Sequence, residues 1–250
     1  MENIKYDSQL LAQFFANHRI RWEDFYESER KLFSLLPFSK QSRVLDIGCG
    51  CGGLGLALNT QFGVESYLGV DINQATINEA KKINPHMNLM IGDILELSKG
   101  ELGKRKFDMV VSLSCIDWNV RFKDMLNTAW ELVEEGGYFV STFRLSLQSS
   151  VLDMNSSYQY INFEDKLEGE KAAYVVLNVS ELFETLLTLN PTEIIANGYW
   201  GVPSVTAVTP YKSLCFSAFA IKKLSKSDSN LVLNLDFPHN VLSQLLLLPK

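Results

Sequence analysis

The 250-residue chain has no apolar run that reaches the roughly 18–20 residues of a membrane-spanning helix. Its N-terminal stretch, MENIKYDSQL, has neither the charged start nor the apolar core of a signal peptide. We therefore expect no membrane span and a cytoplasmic location.

Basic charge is also scarce. The chain has 23 Lys and Arg against 29 Asp and Glu, which gives a formal net charge of -6 and a pI near 5.2. General nucleic-acid binding requires a basic face, so this composition argues against nucleic acid as a partner. The overall composition is still compatible with a local basic patch.

Cysteine and histidine are few and scattered. The four cysteines lie at positions 49, 51, 115 and 215, and the three histidines at positions 18, 86 and 239. A C-x-C pair without a second pair or a histidine cluster nearby is a poor zinc site. We expect free thiols and no bound metal.

The chain does have a glycine-rich stretch that follows a short apolar run. Val44, Leu45 and Ile47 predict a buried strand, and five glycines follow within eight residues. An apolar helical pattern then begins at Leu54. Strand, glycine turn and helix form the first βα unit of nucleotide-binding folds, in which glycines allow close backbone approach and helix amides point at the ligand. A glycine turn without a ligand is the alternative.

The residue before these glycines favours one ligand class. Gly48, Gly50 and Gly53 fit the dinucleotide spacing G-x-G-x-x-G, which by itself does not identify a ligand. The carboxylate of Asp46 would repel a pyrophosphate, whereas it can hold the ammonium of a zwitterionic ligand directly or through water. The stretch VLDIGCGCG resembles motif I of class I S-adenosylmethionine-dependent methyltransferases, which is an acidic residue followed by G-x-G-x-G. The resemblance implies cofactor contacts from Asp46, Gly48, Cys49, Gly50 and Gly52.

Two further acidic residues follow predicted strands. Asp71 ends the strand predicted over residues 64–70, and by resemblance to motif II it and Ile72 contact the cofactor ribose. NAD enzymes also place an acid there, and Asp71 or Asn73 could instead cap the helix predicted over residues 74–83.

The second acid, Asp93, follows the strand predicted over residues 87–91. By the same resemblance it holds the adenine amine while Ile94 flanks the ring. Dinucleotide enzymes do not generally have this acid.

The strand predicted over residues 108–112 resembles motif IV, whose carboxyl end borders the methionine part of the cofactor and the methyl group. Ligands of open α/β sheets bind outside such strand ends. The resemblance therefore places Ser112 and Leu113 at the cofactor, and Ser114, Asp117 and Trp118 near the chemistry. Asp108 lies at the start of this strand, and we expect it to be structural.

Residues 7–36 show helical spacing, with a break at residues 17–21. In class I methyltransferases such a segment commonly packs over the cofactor, so we expect an N-terminal helical lid over residues 1–40. Arg19, Arg21, Trp22 and Tyr26 are candidates to contact the cofactor or the substrate, with Arg21 assigned to the cofactor. The alternative for each is a solvated charge or a core aromatic.

The remaining pattern predicts an α/β fold: a doubly wound, seven-stranded Rossmann-like methyltransferase sheet with an antiparallel last strand. A helix over residues 122–133 ends at the glycines of Glu134-Glu135-Gly136-Gly137, and a fifth strand follows over residues 138–143. The sixth and seventh strands cover residues 192–200 and 213–222, and the methyltransferase domain covers residues 41–223.

An insertion after the fifth strand interrupts this order over residues 145–178. We expect an antiparallel hairpin there, made from residues 158–162 and 173–178, and a following helix capped by Ser180 over residues 181–189. The apolar tail, residues 224–250, could add an edge strand and a short helix or could be a partner surface, which leaves a homodimer open.

The resemblance implies methyl transfer from S-adenosylmethionine, which leaves S-adenosylhomocysteine. The Asn/Asp-Pro-Pro-Tyr/Phe motif of nucleic-acid amino-methyltransferases is absent after the fourth strand, so we expect a small-molecule acceptor such as a sugar, a lipid head group or another metabolite. His18, Asp117, Arg144 and Tyr199 are candidate bases or substrate holders. A non-catalytic cofactor-binding regulator, a protein methyltransferase and an NAD-dependent oxidoreductase are the alternatives.

Overall fold

The computed structural model describes residue 12 and residues 15–162, 164–225 and 230–246. The part of the predicted N-terminal helix at residues 7–11, 13 and 14 lies outside the described residues. In chain order the strands are β1 (Arg43–Ile47), β2 (Ser66–Asp71), β3 (Leu89–Ile91), β4 (Phe107–Ser112), β5 (Val133–Ser146), β6 (Tyr158–Tyr160), β7 (Lys171–Ala173), β8 (Leu177–Asn178), β9 (Pro191–Gly201), β10 (Ala207–Val208), β11 (Leu214–Lys223) and β12 (Val232–Asp236).

Nine of these strands form one mixed sheet, in the order β12-β9-β11-β5-β4-β1-β2-β3 with β8 paired to the end of β5. Strands β1 to β5 are mutually parallel, and β11 lies antiparallel between β5 and β9. The predicted α/β methyltransferase fold is confirmed. Its sheet has two strands beyond the predicted seven, the two-residue β8 and the edge strand β12.

Helices cover both faces of the sheet. They are α1 (Glu27–Phe33), α2 (Gly53–Phe62), α3 (Gln74–Ile83), α4 (Ile94–Leu97), α5 (Phe122–Leu132), α6 (Val179–Leu187) and α7 (His239–Leu245), with 3₁₀ turns at Trp22–Asp24, Glu101–Lys104 and Ile116–Trp118. Successive strand side chains point to opposite faces, so Val44 packs in a core with α1 and α2 while Leu45 packs in a core with α5 and α6. This arrangement makes the fold doubly wound.

Two helix ends differ from the sequence expectation. Helix α5 ends at Leu132, and Val133 already begins β5, so Gly136 has its positive φ of 77° inside a strand and does not end the helix. The cap of α6 is Asn178, whose side-chain oxygen accepts hydrogen bonds from the amides of Ser180 and Glu181 at 2.9 and 3.2 Å. The prediction of Ser180 as the cap was wrong because Asn178 is as good a capping residue two positions earlier.

The insertion after β5 forms a small sheet rather than a simple hairpin. Strand β6 pairs antiparallel with β7 and also with β10, which comes from the loop between β9 and β11. Residues from distant parts of the chain therefore build this second sheet together.

The described part of the tail adds β12 parallel to β9 and then α7, as one of the two sequence alternatives predicted. Phe237 and Val241 of this segment are buried in the core under α6. Among the described helices, none combines the length and the apolar character needed to cross a bilayer.

We predict that Gly55→Ala destabilises the fold. A Cβ at Gly55 would lie 2.8 Å from the ring of Tyr67, which is partly buried and packs against the core that contains α2. Helix propensity alone would give a gain of about 1 kcal/mol for Gly to Ala, whereas overpacking costs about 1–3 kcal/mol. Urea unfolding should show a net loss. Gly100→Ala is the control, because its nearest neighbour would lie 3.7 Å away and its stability should change little; a gain for Gly55→Ala would contradict the packing argument.

Candidate functional site

A cavity of about 410 Å³ lies at the carboxyl ends of β1, β2 and β4. Ligands of open α/β sheets bind at this edge. The N-terminal segment, the glycine loop, the loops after β2, β3 and β4, and the inserted strand β6 all contribute to its wall. The lining residues that the site depends on are His18, Arg19, Asp46, Gly48, Cys49, Gly50, Asp71, Ile72, Asp93, Ile94, Leu113, Ser114, Trp118, Gln159 and Tyr160.

The glycine loop after β1 presents its backbone to the cavity. Gly50 has a φ of +54°, and a Cβ placed there would meet no heavy atom within 4 Å. The loop is anchored from behind, because the amides of Gly48 and Cys49 donate to the carbonyl of Val70 at 2.8 and 3.0 Å. The loop therefore leaves open space above Gly50 that a ligand can occupy.

Asp71, at the end of β2, links this loop to the next one. Its Oδ2 accepts from the amide of Gly50 at 2.8 Å, and its Oδ1 accepts from the amide of Asn73 at 2.8 Å. Burial raises the pKa of Asp71, and the two amide donors oppose that rise. Each carboxylate oxygen has more than one acceptor site, so Asp71 can still accept hydrogen bonds from the hydroxyls of a ribose.

Asp46, on β1, is buried beneath the glycine loop. Its Oδ2 accepts a hydrogen bond from the hydroxyl of Tyr67 at 2.6 Å. Burial raises the pKa of Asp46 to about 7 although the Tyr67 hydroxyl lowers it. The carboxylate is thus short of stabilising charge, and a cationic group in the cavity would supply it.

Asp93 and Ile94 border the cavity after β3. Oδ1 of Asp93 accepts from the amide of Leu95 at 2.9 Å and so caps the short helix α4. Asp93 therefore has a structural bond on one oxygen, while the second oxygen can serve a ligand donor.

The N-terminal segment lies directly on the start of α2. A Cβ at Gly53 would lie 2.0 Å from the carbonyl oxygen of Arg19, so the glycine permits this close approach. Nη2 of Arg19 donates to both carboxylate oxygens of Glu29, at 2.8 and 3.0 Å, and Glu29 is fully buried. The segment thereby places Arg19 and His18 in the cavity wall.

Most of the proposed cofactor residues meet in this cavity, and others do not line it. Arg21 is exposed, Gly52 is the left-handed cap of α2, and Ser112 is fully buried inside β4. Trp22 packs edge-on against Phe62, and Tyr26 is exposed beyond the rim.

Of the four candidate bases and substrate holders, His18 lines the cavity. Asp117 and Arg144 form a buried ion pair with a 2.9 Å separation, directly behind the cavity-lining Trp118. Tyr199 lies on β9 with 46% of its surface exposed and is not among the lining residues.

Several lining residues escaped the sequence analysis. Phe15 and Phe25 come from the N-terminal segment, and Gln159, Tyr160 and Asn162 come from the insertion. Tyr67 was missed too, because only the register of β2 against β1 brings it to Asp46.

Among the described residues, no three His, Cys, Asp or Glu side chains are grouped so that they could hold a metal ion.

A family model described as a methyltransferase domain matches residues 38–181, which is more than half of the chain. The chain belongs to this methyltransferase family. The resemblance of the glycine stretch to motif I is thereby confirmed at the level of the family.

Curated methyltransferases are similar over shorter stretches. The malonyl-[acyl-carrier protein] O-methyltransferase of Priestia megaterium is 27% identical over 150 residues, covering 55% of this chain and 52% of the relative. The U6 snRNA methylphosphate capping enzyme Amus of Drosophila melanogaster is 26% identical over 135 residues, covering 46% of this chain and 43% of the relative. The chain thus spans about half the length of these curated relatives.

A solved structure with the same fold is phosphoethanolamine N-methyltransferase 2 of Haemonchus contortus, in complex with phosphomonomethylethanolamine and S-adenosylhomocysteine. It matches with a TM-score of 0.59 and 14% identity, covering 87% of this chain and 57% of that one. At this identity the likeness establishes the shared fold.

We predict that Asp46→Asn stabilises the ligand-free protein more at pH 8 than at pH 5. Burial raises the pKa of Asp46 to about 7 in the folded protein, above its ordinary value of 3.8, so the cost of the ionised carboxylate grows as the pH rises between these two values and is complete at pH 8. Asparagine keeps an oxygen for the Tyr67 hydroxyl and never ionises. Urea unfolding should show a gain on the order of 2–4 kcal/mol for the variant at pH 8.

Asp108→Asn is the matched control for this prediction. The pKa of Asp108 is lowered, chiefly by its hydrogen bonds from Arg43, so its charge stabilises the fold throughout the range from pH 5 to 8. This variant should lose stability equally at both pH values. Equal effects of Asp46→Asn at both pH values would contradict the raised pKa.

Proposed function

We propose that the chain binds S-adenosylmethionine in this cavity and transfers its methyl group to a small-molecule acceptor. The observation that carries the proposal is the distribution of groups around the cavity. The glycine loop with Asp46, Asp71 and Asp93, and the inserted strand β6, both line the same cavity. A nucleoside site and an acceptor site can share one space in this arrangement.

In this proposal each acidic residue meets one part of the cofactor. Asp46 holds the ammonium, Asp71 and Ile72 meet the ribose, and Asp93 and Ile94 meet the adenine. The open space at Gly50 and the partly unsatisfied charge of Asp46 fit a ligand that carries both a planar nucleoside and a cationic amino-acid end. An NAD-dependent oxidoreductase is disfavoured, since Asp46 would face a pyrophosphate.

The bound cofactor would supply a methyl group that is already activated by the positive sulfur. The protein then has to align the acceptor in line with the breaking C–S bond and keep water out. Leu113 and Ser114 at the end of β4 form the wall nearest to this reaction, and Trp118 forms the floor of the acceptor side. We retain His18 as the proposed base for an acceptor that must lose a proton.

The remaining candidates receive supporting roles in the proposal. Asp117 and Arg144 hold the back of Trp118, because the Arg144 guanidinium lies 4.6 Å from the centre of its ring. Tyr199 would meet only an acceptor that extends out of the cavity.

The size of the cavity, about 410 Å³, favours a small acceptor over a macromolecule. Strand β6 and the N-terminal segment both line it, and the sheet of β6 is tied to the main domain through β10. The net charge of -6 disfavours an extended nucleic-acid surface. The relatives include a malonyl-[acyl-carrier protein] O-methyltransferase and a U6 snRNA methylphosphate capping enzyme, so they support methyl transfer without choosing the acceptor. A sugar, a lipid head group or another metabolite fits the space.

Thermal unfolding with four additions tests the cofactor: S-adenosylhomocysteine, S-adenosylmethionine, NADH and buffer alone. A ligand at about a hundred times its dissociation constant adds roughly 2.7 kcal/mol to the stability of the folded state. We expect a higher midpoint with the two sulfur nucleosides alone. A rise with NADH alone would overturn the proposal, and no rise with any ligand would favour a site that has lost its function.

We predict that Gly50→Val abolishes binding of S-adenosylhomocysteine and that Asp71→Ala weakens it about ten- to a hundredfold. Valine would fill the open space and resist the positive φ, while Asp71→Ala removes charge-assisted bonds to the ribose worth about 1.5–3 kcal/mol. Calorimetric titration gives both affinities. Gly100→Val and Asp108→Ala, at positions outside the cavity lining, are the controls, and wild-type affinity in both test variants would remove the site assignment.

A further inference from the structure

One guanidinium reaches the cavity wall and is fixed in place there. Among the described residues that line the cavity, Arg19 is the one Lys or Arg, and 29% of its side chain is accessible. Its Nη2 donates to both carboxylate oxygens of the buried Glu29, at 2.8 and 3.0 Å, so Glu29 does not use the donors on Nε and Nη1. Nη1 lies 3.4 Å from the hydroxyl oxygen of Ser114, which also lines the cavity. The edge of the guanidinium that Glu29 leaves over therefore lies at the cavity wall.

The backbone of Arg19 has a conformation that residues other than glycine rarely adopt. Its φ is +58°, and the carboxylate of Asp24 accepts hydrogen bonds from the next two amides, those of Ile20 and Arg21, at 3.1 and 2.9 Å. Left-handed residues of this kind concentrate at functional sites, because the strain persists only where the surroundings hold it. The turn keeps Arg19 at one position in the wall.

This position is beside the glycine loop. A Cβ at Gly53, the first residue of α2, would lie 2.0 Å from the carbonyl oxygen of Arg19. Burial raises the pKa of Asp46, whereas the hydroxyl of Tyr67 and the charge of Arg19 lower it, so the two charged side chains are near enough to act on each other. One cationic and one acidic side chain of the lining are thus neighbours at the glycine loop.

This pair of opposite charges matches the amino-acid end of the proposed cofactor. The ammonium and the carboxylate of a methionine group are bonded to one carbon, so the groups that bind them have to be neighbours. Asp46 is the proposed partner of the ammonium, and the carboxylate needs a partner of opposite charge. The lining acids Asp46, Asp71 and Asp93 would repel it. Arg19 is the lining residue that can offset this repulsion.

From this arrangement we infer that Arg19 binds the carboxylate of the cofactor and makes that carboxylate a requirement for tight binding. The inference rests on the proposed function and adds a specificity-determining residue to the cofactor site. The planar fork of an arginine fits the two oxygens of a carboxylate, and such charge-assisted bonds are stronger than neutral ones. Glu29 acts as a positioning residue, since it holds Nη2 and leaves the other edge of the guanidinium to the ligand.

Four adenine nucleosides that differ in the chain on sulfur test this assignment. S-Adenosylhomocysteine has both charged groups, S-adenosyl-3-thiopropylamine lacks the carboxylate, 4-(adenosyl-5′-thio)butanoate lacks the ammonium, and 5′-methylthioadenosine lacks both. Calorimetric titration of the full chain at pH 8, where most of Asp46 is ionised, measures each affinity. We expect S-adenosylhomocysteine to bind about ten- to a hundredfold more tightly than the thiopropylamine.

Variants of the Arg19–Glu29 pair then locate the group that recognises the carboxylate. Arg19→Lys keeps a charge beside Glu29 and loses the planar fork, while Arg19→Met/Glu29→Gln removes the charge without leaving a buried carboxylate unpaired. The double variant should lower the affinity for the two ligands with a carboxylate about ten- to a hundredfold, and Arg19→Lys should lower it less. The affinities for the two ligands without a carboxylate should stay unchanged.

Three comparisons separate this effect from a general loss of the site. Unchanged binding of 5′-methylthioadenosine shows that a variant is folded with its nucleoside site intact, and if the double variant loses all four ligands, Arg19→Lys alone decides. Asp46→Asn is the reciprocal test, since it should weaken the two ligands with an ammonium and spare the butanoate. Arg121→Met/Asp124→Asn is the matched control, because it removes an exposed arginine–carboxylate pair, 2.8 Å apart, outside the cavity lining.

Several results would overturn the inference while leaving the proposed methyl transfer standing. One is a wild-type protein that binds S-adenosylhomocysteine no better than the thiopropylamine, and another is wild-type affinity for S-adenosylhomocysteine in both Arg19 variants. A raised acceptor KM with that affinity unchanged would assign Arg19 to the acceptor. Loss of the carboxylate preference in Arg21→Met, but not in the Arg19 variants, would assign the carboxylate to Arg21. Failure of the wild-type protein to bind S-adenosylhomocysteine at all would overturn both proposals.

Discussion

The carboxylate of Asp71 is the group on which the geometry of the site depends. It accepts hydrogen bonds from the amides of Gly50 and Asn73, and so joins the loop after β1 to the loop after β2. Backbone amides at a turn would otherwise point in many directions, since a glycine loop has few side-chain contacts to fix it. Because the carboxylate stays buried against these donors, the cavity above Gly50 exists before any ligand arrives.

This preformed site lowers the stability of the folded protein. Burial raises the pKa of both Asp46 and Asp71, which means that each ionised carboxylate is less stable there than in water. Tyr67 and the loop amides offset part of that cost. Functional sites commonly retain such unfavourable groups because a ligand of opposite charge recovers the energy on binding.

Local sequence patterns predicted the central strands and helices of the fold. They did not predict contacts between residues that are far apart in the sequence. Strand β1 and helix α3 were predicted from an apolar run and a helical period. Asp46, Asp71 and Asp93 were singled out from their places at or just after the carboxyl ends of strands. The contact between Tyr67 and Asp46 depends on strand register, and the Arg19–Glu29 pair depends on a left-handed turn at a non-glycine residue. The two-residue strands β8 and β10 are too short to give any periodic signal, which is why the second sheet was expected as a hairpin.

One wall of the cavity comes from β6 and the residues after it, and β6 is held from behind by two segments outside the β1–β5 core: the rest of the insertion, which carries β7, and the loop that carries β10. Gln159 of β6 donates its amide to Thr206 at 2.9 Å, next to β10, so the two segments are linked by side chains as well as by strand pairing. Substitutions in either segment can reshape this wall while leaving the glycine loop untouched. The set of compounds that the cavity admits could therefore change, by evolution or by engineering, while the residues that would bind the nucleoside stay the same.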